Sequence, residues 1–329
     1  MLAFVVRRLL LMLPSLLGIT FVTFLFADLA PSDRAAIELS RLESQGELAQ
    51  GTERESLLRA MRVRYGTHDA VTGEPLGLVQ RYGNWMQGLA SGDWGSRAPG
   101  QPAVGASIRE ALPATLLLGL ASALLALAYG IPRGVALGMR AGNRVDRLAA
   151  AGSMAALAMP EFLLATVLLL AFGGAGLQWV PSTGWSPGRG VSPAGLVLPV
   201  LSLAIPLALV VTRFVREAVR RARTAPFAVA LEGFGIEPAH VRQRMLHHAS
   251  APVATLVGGF VPMLVGGSIV VESVYAMEGL GRLAWSAAMG QDTAMVMALT
   301  LLVGTATLLG TTLSDVLQRA LDPRAGATS

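Results

Sequence analysis

The chain has 329 residues, of which 53% are apolar and only 14% are charged, whereas a soluble domain carries about 25% charged residues. Its net charge is +5, all 26 basic residues are arginine, and neither lysine nor cysteine occurs. A Walker A phosphate loop and a Schiff-base lysine are therefore excluded, as are disulfides and cysteine-ligated zinc. The composition is typical of a membrane protein.

Six stretches have the roughly 20 mostly apolar residues that a spanning helix needs. In chain order they are 9–27, 112–131, 148–174, 194–212, 251–271 and 293–314. The first is longer than the apolar core of a signal peptide and lacks a clear small-x-small cleavage site, so we expect an uncleaved anchor. Arg7 and Arg8 before it place the N-terminus in the cytoplasm.

The charges of the connecting segments agree with that orientation. Segment 133–147 has four arginines against one acidic residue, and segment 213–250 has seven against three, which marks both as cytoplasmic. The two segments expected outside, 175–193 and 277–292, contain one arginine each. The sequence therefore predicts an all-α membrane protein with six transmembrane helices and with both termini inside.

The segment 31–110 after the first helix is the exception to this charge pattern. It carries nine arginines and ten acidic residues, and segments of this length cross the membrane regardless of charge. Leu, Ile and Met recur at helical spacing within 35–64. We therefore predict an extracytoplasmic insertion of about 80 residues that contains a small helical subdomain.

Two carboxylates lie in or at the ends of the predicted spans. Glu161 falls near the middle of the third span, directly after Pro160, where an ionisable group is costly and indicates a function. A cap on a helix broken at Pro160, or a pair with an arginine, would explain it equally well. Glu272 ends the fifth span near the outer surface, where the sequence favours pathway lining and interface solvation equally. Both residues are candidates for lining a translocation pathway.

The basic segment 213–250 is longer and more structured than a simple connector. A helix continues from the membrane, Pro226 breaks it, and helical patterns follow on either side of Gly235. This pattern suits docking of a cytoplasmic partner, although a solvated positive-inside loop would explain the charge as well.

The sequence gives no indication of a metal site, of a hydrolase or of a nucleic-acid-binding protein. His240 and His247 share one helix face, but no carboxylate stands at ligand spacing, so we expect no metal site. No Gly-x-Ser-x-Gly or similar motif indicates a catalytic residue. The arginines are spread along the membrane edges, which argues against nucleic-acid binding.

A series of short motifs, in order and over nearly the whole chain, resembles the permease subunits of bacterial binding-protein-dependent ABC importers. The resemblance is to the dipeptide, oligopeptide and nickel family, and to the first of its two permease types. The motifs are Leu29-Ala30-Pro31, Gly92-Asp93-Trp94-Gly95-Ser96, Leu112-Pro113-Ala114-Thr115, Pro160-Glu161-Phe162, Glu272-Ser273-Val274-Tyr275, Gly279-Leu280-Gly281-Arg282-Leu283, Gln291-Asp292 and Leu321-Asp322-Pro323-Arg324.

The resemblance implies a cytoplasmic coupling loop at 225–252 that contacts an ATPase. Gly235 takes the position of the family's characteristic glycine. Val229-Ala230-Leu231 departs from the usual Glu-Ala-Ala, and Glu232 replaces a typical arginine. The residues assigned to coupling on this basis are Ala230, Glu232, Gly235, Ile236, Arg242 and Pro252.

The resemblance also implies a type I importer fold with three regions. These are an N-terminal transmembrane helix at 1–30, the extracytoplasmic segment 31–110 and a core permease domain at 111–329. A second homologous permease subunit would complete the pathway as a heterodimer in the bilayer of the bacterial cytoplasmic membrane. Two cytoplasmic ATPases would bind ATP and Mg²⁺, so that this chain needs no cofactor of its own.

An extracytoplasmic binding protein would deliver short peptides or a related small solute to this pathway. The alternative function is a non-transporting membrane scaffold that anchors cytoplasmic proteins through the segment 213–250.

Overall fold

The computed structural model describes residues 2–29, 34–44, 52–95, 97, 101–173, 176–177, 179 and 193–321. Within these ranges the chain is helical and, apart from one isolated β-bridge between His68 and Pro75, contains no strand. The all-α prediction is therefore confirmed for this part of the chain. The helices are α1 (Leu2–Leu29), α2 (Arg34–Ser44), α3 (Thr52–Arg64), α4 (Leu78–Ala90), α5 (Val104–Met139), α6 (Arg144–Leu157), α7 (Glu161–Phe172), α8 (Pro193–Thr224), α9 (Pro226–Gly233), α10 (Pro238–Val274), α11 (Leu280–Met289) and α12 (Thr293–Leu321).

Among the described residues, four helices are long and apolar enough to cross a membrane: α1, α5, α8 and α12. Helix α10 has 37 residues and contains the predicted fifth span in its second half. The predicted third span is not one helix, because α6 ends at Leu157 and α7 begins at Glu161. Pro160 explains the break, since proline disfavours the helical conformation of the residue before it.

The segments predicted to be cytoplasmic loops are largely helical. Helix α5 continues past Arg133 to Met139, and a short turn leads into α6. Asn143 caps α6, because its side-chain oxygen accepts a hydrogen bond from the backbone N–H of Asp146 at 2.7 Å. The connection 133–147 is therefore a tight helix–turn–helix rather than a flexible loop.

One compact unit comprises Met1–Met12, Ala111–Leu283 and Thr305–Ser329. Its largest apolar core is built on α8, whose inward residues recur every three or four positions and pack against α5, α9 and α10. The members of this core from α8 and α10 that are at most 3% exposed are Leu207, Val211, Val215, Val219, Ala222, Val241 and Met245.

Helices α5 and α8 approach each other through a row of glycines spaced four residues apart. A Cβ added at Gly130, Gly134 or Gly138 would lie 2.9, 2.8 or 2.9 Å from a backbone carbonyl oxygen of α8. Atoms cannot approach so closely without displacement, so only glycine permits this distance between the helix backbones. Small residues at such spacing are a general device for close packing of membrane helices.

Within the same unit, the first turns of α1 lie beside the last turns of α12. Arg8 forms an ion pair with Asp315 at 2.9 Å, and the guanidinium of Arg319 lies 4.5 Å from the centre of the Phe4 ring. The N-terminal end of α1 and the C-terminal end of α12 therefore face the same side of the molecule.

The second compact unit comprises Leu13–Glu110 and Ala284–Gly304. Helices α2 and α3 pack against each other around a small buried cluster, which confirms the helical pattern for the described residues 35–44 and 52–64. The buried members of this cluster are Ala35, Leu39 and Met61.

Helix α4, which the spacing did not predict, lies along the second half of α1 in this unit. Arg81 donates to both carboxylate oxygens of Asp28, with 3.0 Å between Nη2 and Oδ2. Tyr82, the next residue of α4, contacts two residues of α1 that precede Asp28. Its hydroxyl lies 2.9 Å from Thr20 Oγ1, and its ring packs edge-on against Phe24. These contacts hold the helix against α1.

Candidate functional site

The chain reverses direction between α8 and α10 through the short helix α9. As predicted, α8 ends just before Pro226 and a turn at Gly235 separates α9 from α10. Gly235 has a φ of +70°. Around it the Ile236 N–H donates to Leu231 O and the Gly235 N–H donates to Glu232 O, at 3.1 and 3.0 Å. This is a Schellman cap, whose left-handed position favours glycine.

Helix α9 is fixed on one side only. Ala228 is fully buried in the core, and Phe227 and Leu231 pack against the same core. The Phe227 ring also lies 5.1 Å from the His248 ring of α10. The opposite side is open, with Val229 60% exposed and Phe234 82% exposed. Large apolar side chains at such exposure, in a segment predicted to lie in the cytoplasm rather than in lipid, are typical of a surface that binds another protein.

The structure places the predicted coupling residues in this reversal. The five whose side chains it describes are all exposed: Ala230, Glu232, Gly235, Ile236 and Arg242. The backbone of Pro252 lies within α10, and its side chain lies outside the described part of the chain.

At the other end of α10, Glu272 is fully buried in this chain. Its Oε1 accepts a hydrogen bond from the Thr115 hydroxyl of α5 at 2.7 Å, and its Oε2 accepts one from the backbone N–H of Arg282 at 3.0 Å. The Thr115 Oγ1 in turn accepts from the backbone N–H of Leu280 at 2.7 Å. The carboxylate therefore joins α10 to α5 and to the start of α11.

Two glycines make room for this carboxylate. A Cβ at Gly279 would lie 2.4 Å from the Glu272 carboxyl group, and one at Gly281 would lie 3.0 Å from it and 2.6 Å from the Ile269 Cα. We call Thr115, Glu272, Gly279, Gly281 and Arg282 the Glu272 cluster. Lining of the pathway and solvation at an interface, the two expectations for Glu272 from the sequence, both stay predictions.

Tyr275, one turn after Glu272, connects the same end of α10 to two further helices. Its hydroxyl donates to the Ala165 carbonyl oxygen of α7 at 3.0 Å and lies 3.0 Å from Ser202 Oγ of α8. The turn that follows has Ala276 at a φ of +50°. Here the Met277 N–H donates to Glu272 O at 2.8 Å, so that α10 ends in a second Schellman cap, with alanine in the glycine position.

Asp146 in the first turn of α6 forms an ion pair with Arg216 of α8 in the predicted cytoplasmic region. Its side chain is 1% exposed and accepts hydrogen bonds from Arg216 Nε and, at 2.6 Å, from Arg216 Nη2. The Gly142 N–H donates to Asp146 Oδ2 at 2.9 Å. The hydrogen bonds from Arg216, followed by the one from Gly142, lower the pKa of Asp146 from 3.8 to about 2.

Glu161 is the first residue of α7 and is partly exposed. A carboxylate in the first turn of a helix interacts favourably with the unpaired N–H groups there. Because the helix is broken at Pro160, the residue lies at a helix end rather than in the middle of a continuous span. A role in the pathway stays a prediction for this residue.

Several residues that organise this region were visible in the sequence only as family motifs. Thr115 and Gly281 belong to two motifs far apart in the chain, and nothing in either motif indicates that they share one carboxylate. The spacing of Gly130, Gly134 and Gly138 is the one signal that would have indicated a close helix contact.

The fold and the site define a class of protein, a multi-pass membrane protein with an exposed helical reversal on one side. Comparison with known proteins identifies the family: residues 130–326 match the "Binding-protein-dependent transport system inner membrane component". The chain belongs to this family. It is a permease subunit of an ABC importer in the cytoplasmic membrane, and the family is the permease component of these transporters rather than the catalytic one.

Relatives similar over nearly the whole chain include three transport permeases. The oligopeptide transport system permease protein AppB of Bacillus subtilis is 29% identical, over 98% of this chain and 99% of the relative. The oligopeptide transport system permease protein OppB of Haemophilus influenzae is 28% identical, over 98% and 99%. The metal-staphylopine import system permease protein CntB of Staphylococcus aureus is 25% identical, over 98% of each chain.

Proposed function

We propose that this chain forms half of the pathway of an importer for short peptides or a related small solute. The names of the similar relatives support the substrate class, since two of those described are oligopeptide transport permeases and the third is the permease of a metal-staphylopine import system. A second, homologous permease subunit completes the pathway. An extracytoplasmic binding protein delivers the solute.

Two cytoplasmic ATPase subunits bind ATP and Mg²⁺ and drive the cycle. The absence of lysine from the chain supports this division of labour, because a Walker A loop uses a lysine to contact the β- and γ-phosphates. This chain binds no cofactor and acts through contacts with its partners.

The chain crosses the membrane six times, with both termini in the cytoplasm. The ion pair between Arg8 and Asp315 and the stacking of Arg319 on Phe4 support an even number of crossings, because the first turns of α1 lie beside the last turns of α12. The arginine-rich segments 133–147 and 213–250 then lie on that side as well.

The observation that carries the proposal is the exposed reversal around Gly235. Its outward side presents Val229, Phe234 and Ile236, which are 60%, 82% and 42% exposed, while the inward side is packed into the core. An ATPase that binds here would push on α9 and, through the apolar core, on α8 and α10. The displacement would thereby reach two helices that extend into the membrane.

We assign Glu161 to the solute pathway as a partly exposed carboxylate at the start of a short apolar helix. The substitution Glu161→Gln removes the charge and preserves the size of the side chain. We expect transport to fall while the complex still assembles. Normal uptake by this variant would limit the residue to a structural role.

The experiment that tests the proposal is purification of the chain with its second permease and its ATPases, followed by ATP hydrolysis with and without the binding protein. Gly235→Asp places a carboxylate and a strained backbone at the reversal. We expect it to abolish stimulation by the binding protein. Gly142→Asn is the control, because Gly142 is also an exposed glycine with positive φ in a predicted cytoplasmic turn, nothing lies within 4 Å of a Cβ there, and an amide adds no charge beside Asp146.

Stimulation that survives Gly235→Asp would contradict the assignment of the coupling loop. A wild-type complex that binds ATPases but shows no stimulated hydrolysis would instead favour the scaffold function.

A further inference from the structure

The Glu272 cluster holds a buried carboxylate with neutral donors. Thr115 and the backbone of Arg282 donate to it, whereas the Arg282 guanidinium donates to the Ala276 carbonyl oxygen at 3.1 Å. In the part of the chain that the structure describes, no ion pair reaches Glu272. Burial of a carboxylate costs more free energy than an apolar contact. Since burial of Glu272 does not by itself stabilise the fold, we attribute the carboxylate at this position to the geometry of its two hydrogen bonds.

That geometry is a connection between three helices. The two carboxylate oxygens bind to α5 and to α11, and the Thr115 hydroxyl closes the arrangement by accepting from the Leu280 N–H. Gly279 and Gly281 allow the start of α11 to contact the carboxylate directly, because a Cβ at either position would collide with it. A shorter or apolar side chain at 272 would leave the Arg282 N–H and the Thr115 hydroxyl without this partner.

The cluster lies at the far end of the helix that begins at the proposed ATPase surface. Helix α10 runs from Pro238 to Val274, and its 37 residues span about 55 Å. It packs along α8 through the core that also anchors α9. Tyr275 then fastens the far end of α10 to Ser202 of α8. Helices α8 and α10 are thus joined at both ends, and a displacement of α9 acts on the pair.

We infer that Glu272 is a positioning residue that transmits movement of the α8–α10 pair to α5 and α11. The inference rests on the proposed function, since it assigns the route by which force applied at Gly235 reaches the opposite end of the pathway. The same connection works in reverse: a binding protein that docks outside changes the arrangement of α11 and α5, and Glu272 passes the change to the ATPase end of α10.

The test is the ratio of binding-protein-stimulated to basal ATP hydrolysis in the complete complex, reconstituted in lipid nanodiscs. The probe is the purified binding protein, so the identity of the solute is not needed. We expect Glu272→Ala to lower the ratio about fivefold or more, the range typical of coupling between two sites. Basal hydrolysis per assembled complex stays near the wild-type rate.

Two further variants keep the test informative if Glu272→Ala does not assemble. Thr115→Val preserves the shape of the side chain and removes both hydrogen bonds of the hydroxyl, so the ratio should fall as well. Glu272→Gln can accept one of the two hydrogen bonds and should retain an intermediate ratio. The matched control is Glu278→Gln, on an exposed side chain of the same turn, which should match the wild type.

A ratio equal to that of the wild type in an assembled Glu272 or Thr115 variant would overturn the inference. So would equal losses of basal and stimulated hydrolysis, because they indicate a folding role only. Failure of the proposed function is distinguishable, since the wild-type complex itself would then show no stimulation.

Discussion

Arg216 donates hydrogen bonds to both carboxylate oxygens of Asp146 and thereby fastens α8 to the first turn of α6. The Asp146 side chain is 1% exposed and that of Arg216 is 24% exposed, so the pair lies at the edge of the core rather than in open solvent. Arg216 is two turns before the end of α8, which leads into α9. The pair therefore sets the position of the helix that carries the proposed ATPase surface.

We expect Asp146→Asn to destabilise the subunit by about 2 kcal/mol, the value that corresponds to a pKa lowered from 3.8 to about 2. In this variant the Arg216 guanidinium would face the neutral amide of the asparagine instead of the Asp146 carboxylate, so the attraction between opposite charges is lost. The measurement is the apparent melting temperature of the detergent-solubilised subunit. Glu217→Gln is the control on the next residue. The hydrogen bonds from Arg220 and Arg221 lower the pKa of Glu217 to about 2 as well, but both arginines are exposed, and solvent screening leaves such pairs little effect on stability. Equal effects of the two substitutions would contradict this prediction.

The same ion pair predicts a pH dependence. The folded-state pKa of Asp146 is lowered to about 2 from 3.8, so its contribution is present above the unfolded value and is lost as the pH falls through the folded value. The difference in melting temperature between the wild type and Asp146→Asn should be constant above a pH of about 5 and shrink between about 4 and 2. A difference that grows on acidification would show that the charge does not stabilise the fold.

The glycines of α5 give a pair of substitutions with opposite expected signs. Gly134→Ala places a Cβ 2.8 Å from the Thr212 carbonyl oxygen and 2.6 Å from the Val215 Cβ, so α5 and α8 must separate at a cost of about 1–3 kcal/mol. Gly152→Ala in α6 meets nothing within 4 Å and should stabilise the helix by about 0.5–1 kcal/mol. Thermal unfolding of both variants checks the signs, and a neutral Gly134→Ala would contradict the close contact.

The two Schellman caps at either end of α10 predict another opposed pair. Gly235→Ala puts a side chain at a φ of +70° and should destabilise the subunit by about 1 kcal/mol. Ala276→Gly removes the strain of a φ of +50° and should stabilise it by up to about 1 kcal/mol. Comparison of unfolding temperatures with the wild type tests both. Shifts of the same sign in the two variants would contradict the assignment of the caps.

The reversal at 213–250 shows how far local sequence signals extend. Pro226 cannot continue α8, and Gly235 permits the left-handed turn, so both breaks could be predicted from the chemistry of single residues. The arginine pattern predicts which connecting segments lie in the cytoplasm. This prediction is also local, because each arginine influences the orientation of its own segment. The sequence did not indicate that the helix after Gly235 continues without interruption to Val274.

The sequence by itself determined that this protein is helical, belongs in a membrane, cannot bind ATP through a lysine-containing phosphate loop and resembles an importer permease. These properties follow from the composition, from the helical spacing of apolar residues and from motifs that are continuous in the sequence. Only the tertiary structure decided that Glu272 is buried and bonded to Thr115, 157 positions away, and that glycines at 279 and 281 make room for it. Such contacts depend on helix packing, which no local pattern encodes.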